Sequence, residues 1–268
     1  FDVFITYERD PEADKAMADA MADARKRGLE IVTGALRSDS PTESSETTQY
    51  GPTDALPRVT GDLTGVVQAK HAALPIPVLR AASYFGFVDV PKSDDERVVS
   101  SDGIVRLLPM VVRLGDRPYP SPSLATLMRY FGLRAADVEV RIGDALTLHT
   151  KAGPRRIPID GRGCLLLNYR YEAVDASSVF PTISYRTLTL GLHSKYVEKV
   201  PDIPAPPDLK GAILMLGLFV TGNSDAAPSP LAEFSPLPLV HLNAINNILT
   251  GDYAHRVPEW FIWGVALL

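Results

Sequence analysis

The sequence predicts an α/β fold: a central mixed sheet that contains parallel strand pairs, with helices packed on its faces. An amphipathic helix lies between two strand-like segments, "FDVFITY" and "LEIVTGAL", and such a strand, helix, strand unit favours parallel pairing. Short alternating segments bounded by turn residues then follow along the chain. The hydrophobic content of 46% is sufficient for a buried core.

The first helix carries signals at both ends. Asp10 can serve as its N-cap with Pro11 at the first helical position, and Gly28 occupies the C-cap position after a basic last turn. One face of this helix is predicted to carry Ala13, Met17, Ala20, Met21 and Ala24. Residues 38–54 are polar, without an apolar period, and are predicted to form a loop.

The rest of the chain alternates strand, turn and helix signals. A short helix is predicted at "SPSLATLMRYFG", capped by Ser121 or Ser123 and ended by Gly132. "GAILMLG" is a continuous apolar run, typical of a strand buried on both faces. The last helix carries Leu242, Ile245, Ile248 and Leu249 on one side. Further strands are predicted at 84–90, 104–114, 138–142, 146–149, 156–159 and within "CLLLNYRY".

Charge and cysteine content narrow the possible partners. The chain has 27 basic and 32 acidic side chains, a net charge of −5, and no basic run longer than Arg25 to Arg27. Nucleic acid is therefore not a predicted partner, because binding phosphates needs a positive face. The single Cys164 excludes an internal disulfide and a cysteine-built zinc site, and within an apolar strand it is expected to pack as a small hydrophobe. The five histidines are far apart, so no metal and no cofactor is predicted.

The closest approach to a catalytic or nucleotide motif is "GLFVTGNS". Its Gly217 and Gly222 have the spacing of a phosphate-binding loop, but Asn223 replaces the lysine, and the following "DAAPSPLAEFSPLP" cannot begin a helix. No Gly-x-Ser-x-Gly motif is present either. No catalytic residue is therefore predicted.

Three asparagines, Asn243, Asn246 and Asn247, stand in the last helix, although asparagine favours caps and turns. Two interpretations remain open: Asn243 and Asn246, about one turn apart, brace loop carbonyls around "TGNSD", or the asparagines contact a ligand. Under the second, the ligand contacts are Asp225, His241, Asn243 and Asn246, with a pocket near Asp225 and Asn243. His241 can equally be a partly exposed hydrogen-bonding residue at the start of the helix.

The last nine residues, 260–268, are all apolar. A buried terminal strand or helix explains them, and so does the beginning of a transmembrane helix, which needs about 20 apolar residues in full. In the second interpretation Trp260 and Trp263 lie in the interfacial aromatic belt and Pro258 takes the first helical position.

Five segments, taken in order, resemble the CHASE domain of type 2, an extracytoplasmic sensor of bacterial receptors. They are "FDVFITYERDPEADKAMADAM", "GFVDVPKSDDERVVSSDGIVRLLPMVV", "IPIDGRGCLLLNYR", "DLKGAILMLG" with "TGNSDAAPSP", and "VHLNAINNILTGDY". The family's Asp-Gly-x-x-Arg turn matches Asp102, Gly103 and Arg106. Further family positions match Gly161, Asn168, Gly217, Asp225, Asn243 and Gly251.

This resemblance implies a periplasmic sensor domain at residues 1–257, without its opening strand and helix, and the start of a transmembrane helix at 258–268. Such a sensor has no catalysis of its own. It is held in the inner membrane by flanking helices and passes a stimulus to a cytoplasmic output module such as a nucleotide cyclase or a kinase. The expected partners are an unknown extracytoplasmic ligand or protein and a second copy of the receptor. The residues alone leave an alternative, a soluble α/β small-molecule-binding protein or hydrolase-like enzyme.

Overall fold

A computed structural model describes residues 10–41, 55–90, 102–170, 180–199, 202–203, 205–217 and 226–255. The chain divides into two units. The first comprises Phe1–Arg170 and Met215–Leu268, and the second comprises Tyr171–Leu214. The predicted first strand, most of the predicted 38–54 loop and the predicted membrane segment 258–268 lie outside the described residues.

The described residues form five α-helices and fourteen short strands. The helices are α1 (Pro11–Lys26), α2 (Pro77–Ala82), α3 (Pro122–Tyr130), α4 (Tyr185–Tyr196) and α5 (Leu237–Thr250). The first eight strands are β1 (Val32–Ser38), β2 (Arg58–Thr60), β3 (Gln68–Ala69), β4 (His71–Ala73), β5 (Tyr84–Phe87), β6 (Leu107–Pro109), β7 (Val111–Leu114) and β8 (Arg117–Pro120). The others are β9 (Val138–Arg141), β10 (Ala145–Thr150), β11 (Gly153–Pro158), β12 (Cys164–Leu166), β13 (Ala226–Ala227) and β14 (Ser235–Pro236).

The strands pair in five small sheets, with the orders β4-β1-β5, β11-β10-β9-β2, β3-β7-β8, β12-β6 and β13-β14. Three of the pairs are parallel: β1 with β5, β2 with β9, and β3 with β7. The predicted α/β class with parallel pairs is therefore confirmed. The expectation of one central sheet is wrong for the described residues, because their strands are divided among these smaller sheets.

Residue Met110 explains why the predicted strand at 104–114 is divided. Its N–H donates to the carbonyl of Gly163 at 2.9 Å, and its own carbonyl accepts from the N–H of Ser121 at 2.9 Å. Before Met110, β6 pairs with β12; after it, β7 pairs with β8 and β3. The chain thus changes sheets at this residue, and residues 104–106 lie outside any strand.

The N-caps of α1 and α3 form as predicted, whereas the C-cap of α1 is Arg27 instead of the predicted Gly28, which follows it with φ 91°. The Asp10 carboxylate accepts hydrogen bonds from two N–H groups of the first turn of α1, and the Ser121 hydroxyl accepts from the N–H of Leu124. The predicted buried face of α1 needs a correction: Ala18 and Met21 are its buried residues, whereas Ala13 and Ala20 are exposed. The contact with α2 determines which side of α1 is buried, and the sequence of α1 alone does not indicate that contact.

The apolar run 211–217 forms no strand, contrary to the prediction, and its Leu214 is 56% exposed. Apolar continuity has no period, so it does not distinguish a buried strand from an irregular segment. The predicted strand in "CLLLNYRY" is also shorter, since β12 ends at Leu166. The N–H of Leu167 still donates to the carbonyl of Arg106 at 2.8 Å, but residues 167–170 belong to no strand.

One hydrophobic core of the first unit surrounds the sheet β4-β1-β5. Phe85, Phe87 and Tyr119 form an aromatic cluster with ring centroids 5.8 to 6.3 Å apart. Cys164, 1% exposed, packs in the same cluster as a small hydrophobe, as expected. Between the two phenylalanines, Gly86 lets α3 approach, because a Cβ there would lie 2.5 Å from the nitrogen of Pro122.

In the second unit, the described secondary structure is α4, which begins after an N-cap, Ser184, whose hydroxyl accepts from the N–H of Thr187 at 3.0 Å. Its Tyr185 and Tyr196 are largely exposed. Across both units, none of the described helices combines the length and the apolar character that a membrane crossing requires.

Candidate functional site

Helix α5 is the centre of the candidate site. Pro238 lies in its first turn, where no backbone donor is needed, and Gly251 ends it in the left-handed conformation with φ 71°. The N–H of Asp252 then donates to the carbonyl of Asn247 at 3.0 Å. Most of the helix is enclosed, and the buried residues include three polar ones, His241, Asn243 and Asn247.

Asn247 holds the backbone of the segment that follows β12. Its Oδ1 accepts from the N–H of Asn168 at 3.0 Å, and its Nδ2 donates to the carbonyl of the same residue at 2.8 Å. One turn earlier, the Oδ1 of Asn243 accepts from the N–H of Arg170 at 3.1 Å, while its Nδ2 donates to the carbonyl of Leu239 at 2.9 Å. These two asparagines therefore bond backbone groups that β12 leaves unpaired when it ends.

The spacing of these contacts follows from helix and strand geometry. Residues four apart in a helix are separated by about 6 Å along its axis. Residues two apart in an extended chain are separated by about 6.6 Å. Asn247 and Asn243 on α5 can therefore reach Asn168 and Arg170, respectively, much as a neighbouring strand would.

Asp252, directly after the helix, extends this network. Its Oδ1 accepts from Asn168 Nδ2 at 2.9 Å, and its Oδ2 accepts from Arg170 Nε at 2.8 Å. The hydrogen bond from Arg170 is the main reason that the pKa of Asp252 lies below its usual value. Asp252 is thus joined to the side chains of Asn168 and Arg170, the two residues whose backbone Asn247 and Asn243 hold. We call Asn168, Arg170, Asn243, Asn247 and Asp252 the exit network.

Arg155 of β11 fixes the same end of α5. Its guanidinium donates to the carbonyls of Ile248 and Leu249, at 2.6 and 2.9 Å, and lies 5.4 Å from the ring centroid of Phe131 at the end of α3. A cation at this place satisfies the last carbonyls of the helix and its negative dipole end. Sequence reasoning missed Arg155, because nothing in its neighbourhood along the chain indicates that a helix 93 residues later ends beside it.

His241 joins α5 to α3. Its Nε2 lies 3.2 Å from the carbonyl of Val88 and its Nδ1 lies 2.9 Å from Ser123 Oγ. Since a carbonyl only accepts, Nε2 carries the proton and Nδ1 accepts from the serine hydroxyl. Burial lowers the pKa of His241 to about 4, so the ring is neutral near pH 7. The expectation of a partly exposed histidine at a helix start is wrong: α5 begins at Leu237, and His241 is 2% exposed.

The same geometry bears on the hydrolase-like alternative, since a serine bonded to a histidine is the core of many nucleophilic sites. Ser123 and His241 are 0% and 2% exposed, and the second ring nitrogen is bonded to a main-chain carbonyl rather than to a carboxylate. As described, the pair has no opening toward a substrate. Its hydrogen bonds connect two packed helices.

The predicted ligand contacts do not all lie among the described residues. Asp225 lies outside the described residues, so the expected pocket near Asp225 and Asn243 stays a prediction. Asn246 is half-buried on α5. His241 and Asn243 are bonded within the protein, and ligand contact by either would require these bonds to be exchanged. Asn243 and Asn247 bond the backbone of residues 170 and 168. The predicted bracing of the "TGNSD" segment by Asn243 and Asn246 concerns residues 221–225, which lie outside the described residues, and stays a prediction.

The family-motif residues lie at turns and chain crossings. Asp102 and Arg106 form an ion pair at 2.8 Å, the N–H of Ile104 donates to the Asp102 carboxylate, and Gly103 has φ 73°. The bond to Asp102 raises the pKa of Arg106. Gly161 lies in the turn before β12, where a Cβ on Gly65 would come within 2.9 Å of its carbonyl oxygen. Gly217 is half-buried and outside any strand.

An open concavity of about 500 Å³ lies elsewhere in the first unit, lined by Ala20, Asp23, Ala24, Arg27 and Leu29. His241, Asn243 and Asn246, the predicted ligand contacts that the structure describes, do not line it. Within the described ranges, no group of three or more His, Cys, Asp or Glu side chains could hold a metal ion.

Comparison with protein families matches the CHASE2 domain to residues 1–268 of this chain. No curated protein and no solved structure matches the chain.

Proposed function

This chain belongs to the CHASE2 family of sensory domains of signalling receptors, and we propose that it is the periplasmic sensing domain of a receptor in the bacterial inner membrane. In this proposal residues 1–257 receive the stimulus and 258–268 begin a transmembrane helix. The stimulus passes to a cytoplasmic output module, a nucleotide cyclase or a kinase. The domain catalyses no reaction itself.

The single observation that supports this mechanism best is the joining of Asp252 to Asn168 and Arg170. These bonds connect the residue that leaves α5 to the point where the chain enters the second unit, which starts at Tyr171. A displacement of segment 168–170 relative to α5 would therefore move the chain at Asp252. The connector 251–258 would carry that displacement toward the membrane.

Transmission requires two arrangements of the exit network with different affinities for the stimulus. A ligand that binds both arrangements equally shifts nothing, however tightly it binds. To move an equilibrium from 1:99 to 99:1, the difference in binding must reach roughly 5.5 kcal/mol. Hydrogen bonds of the exit network that exist in only one arrangement would contribute to that difference.

We further propose that the receptor signals as a homodimer, associated through its membrane segments, and that its stimulus is a small ligand or a protein outside the cytoplasm. The negative net charge and the short basic runs favour such partners over nucleic acid.

Topology reporters in the native full-length protein test this proposal. Alkaline phosphatase fused after Thr250 is expected to be active, because that enzyme folds only outside the cytoplasm. β-Galactosidase fused at the same residue serves as the matched control and is expected to be inactive. An active β-galactosidase fusion with an inactive phosphatase fusion would place the domain in the cytoplasm and overturn the proposal.

A further inference from the structure

Two arginines meet on one tyrosine ring at the ends of α1 and α3. Tyr84 opens β5, and the Cζ atoms of Arg25 and Arg129 lie 4.8 and 4.1 Å from the centroid of its ring. Arg25 also donates to the Tyr84 hydroxyl at 3.1 Å. All three residues are half-buried. Contacts of this kind orient guanidinium groups through the negative face of the ring.

The two guanidiniums lack a negative partner within the described part of the chain. Arg25 and Arg129 are the arginines of α1 and α3, both are half-buried, and neither lies within 4.0 Å of a carboxylate among the described residues. Arg129 donates to the carbonyl of Leu133, and Arg25 donates to a neutral hydroxyl. Two positive charges therefore lie beside one ring, and no carboxylate of the described residues forms an ion pair with either, an arrangement that Coulomb repulsion disfavours.

The contacts among the described residues leave most of the hydrogen-bond donors of the cluster unused. A guanidinium has five N–H donors, and each of these two uses one in the bonds described. The Tyr84 oxygen accepts from Arg25, so its own proton is available for donation. The cluster thus offers donors with a charge of +2 and, among the described residues, no anion to receive them.

We propose that Arg25, Arg129 and Tyr84 bind an oxyanion of the phosphate or sulfate type. The planar guanidinium donates two parallel hydrogen bonds to such a group, and bonds between ionised partners are shorter and stronger than neutral ones. The tyrosine ring holds both guanidiniums in place and its hydroxyl adds a third donor. The proposal concerns binding by the domain and holds whether or not the domain signals, so it goes beyond the proposed function.

Calorimetric titration of this chain with sodium phosphate and with sodium sulfate, against sodium chloride at equal ionic strength, tests the proposal. One saturable site for phosphate or sulfate is expected, and none for chloride. Arg25→Gln and Arg129→Gln are each expected to weaken binding by about tenfold or more. Arg27→Gln is the matched control, because it removes the same charge two residues along the chain, and it is expected to change the affinity less than about twofold.

Two further arms complete the test. Arg129→Lys keeps the charge but loses the planar pair of N–H donors. This variant is therefore expected to bind the anion more weakly than the native chain, while its circular dichroism spectrum shows normal folding. Vesicles of phosphatidylcholine with and without phosphatidic acid separate a free anion from a lipid headgroup, since only the second source retains the chain on the vesicles. The proposal is overturned if neither phosphate, sulfate nor the acidic vesicles bind the native chain, or if Arg27→Gln weakens binding as much as Arg25→Gln.

Discussion

The side-chain amide of Asn247 occupies both backbone hydrogen-bonding groups of Asn168, accepting from its N–H at 3.0 Å and donating to its carbonyl at 2.8 Å. Asn247 is fully buried and Asn168 is partly buried. An asparagine on a helix thus replaces the neighbouring strand that the end of β12 lacks. Its cost as a poor helix former is offset by satisfying two groups that would otherwise be left without partners.

Asn247→Ala is expected to destabilise the domain by about 2–4 kcal/mol, because it leaves the N–H and the carbonyl of Asn168 without their partner. Urea unfolding of the purified domain measures this change. Asn246→Ala, at a half-buried position of the same helix, is the control and is expected to cost no more than about 1 kcal/mol. Equal losses in the two variants would contradict the role assigned to Asn247.

His241 should make stability fall in acid. Burial lowers the pKa of its folded form to about 4, whereas the ordinary value is about 6.5. Between these values the unfolded chain binds more protons, so stability is lost as the pH falls from about 6.5 toward 4, by roughly 3 kcal/mol in all. The measurement is urea unfolding at several pH values for the native chain and for His241→Gln. A difference between the two that is independent of pH would contradict a buried, neutral histidine.

Asp89 should act in the opposite direction. Burial raises the pKa of its carboxyl to about 6, although the N–H of Arg37 donates to it at 2.7 Å. The folded protein therefore binds more protons between about pH 4 and 6, and the contribution of Asp89 to stability decreases as the pH rises through this range. Relative to Asp89→Asn, the native domain is expected to lose roughly 3 kcal/mol between pH 4 and 7. A native domain that gains stability relative to the variant would reverse the sign and refute this account.

Gly86 and Gly161 should respond very differently to alanine. A Cβ at Gly86 would lie 2.5 Å from the nitrogen of Pro122 and 2.6 Å from its Cα, both backbone atoms of α3. Gly86→Ala is therefore expected to cost about 3 kcal/mol or more in thermal unfolding. At Gly161 a Cβ meets no atom within 4 Å, so Gly161→Ala is expected to change stability by less than about 1 kcal/mol. A tolerated Gly86→Ala would mean that α3 does not approach β5 this closely.

Local features of the fold were predictable from the sequence, whereas long-range ones were not. The caps Asp10 and Ser121 act on the turn that follows them, so the order of residues suffices to identify them. The break at Met110 depends on Gly163 and Ser121, which are neighbours of Met110 in space but not along the chain. A pattern of apolar residues predicts that a strand exists but does not identify its partners.

The candidate site divides in the same way. The unusual asparagines of α5 were identifiable from the local sequence, and bracing by Asn243 and Asn246 was one of two interpretations, whereas the bonds of Asn247 were not predicted. Their partners at 168 and 170 lie 79 and 73 residues away, and no spacing in the sequence indicates them. The burial of His241 was missed because its position in the second turn of α5 depends on where the helix begins. The helix begins at Leu237, with Pro238 next, inside a proline-rich segment that the sequence predicts to be a connection between elements.

The most direct test of transmission through the end of α5 is the output of the native full-length receptor after glycines are inserted between Asp252 and Pro258. A flexible insertion separates the exit network from the membrane segment, so the response to the stimulus is expected to be lost. The same glycines inserted between Lys151 and Ala152, in the exposed turn between β10 and β11, are the control and should leave the response intact. An unchanged response with the insertion after Asp252 would contradict mechanical transmission from α5 to the membrane.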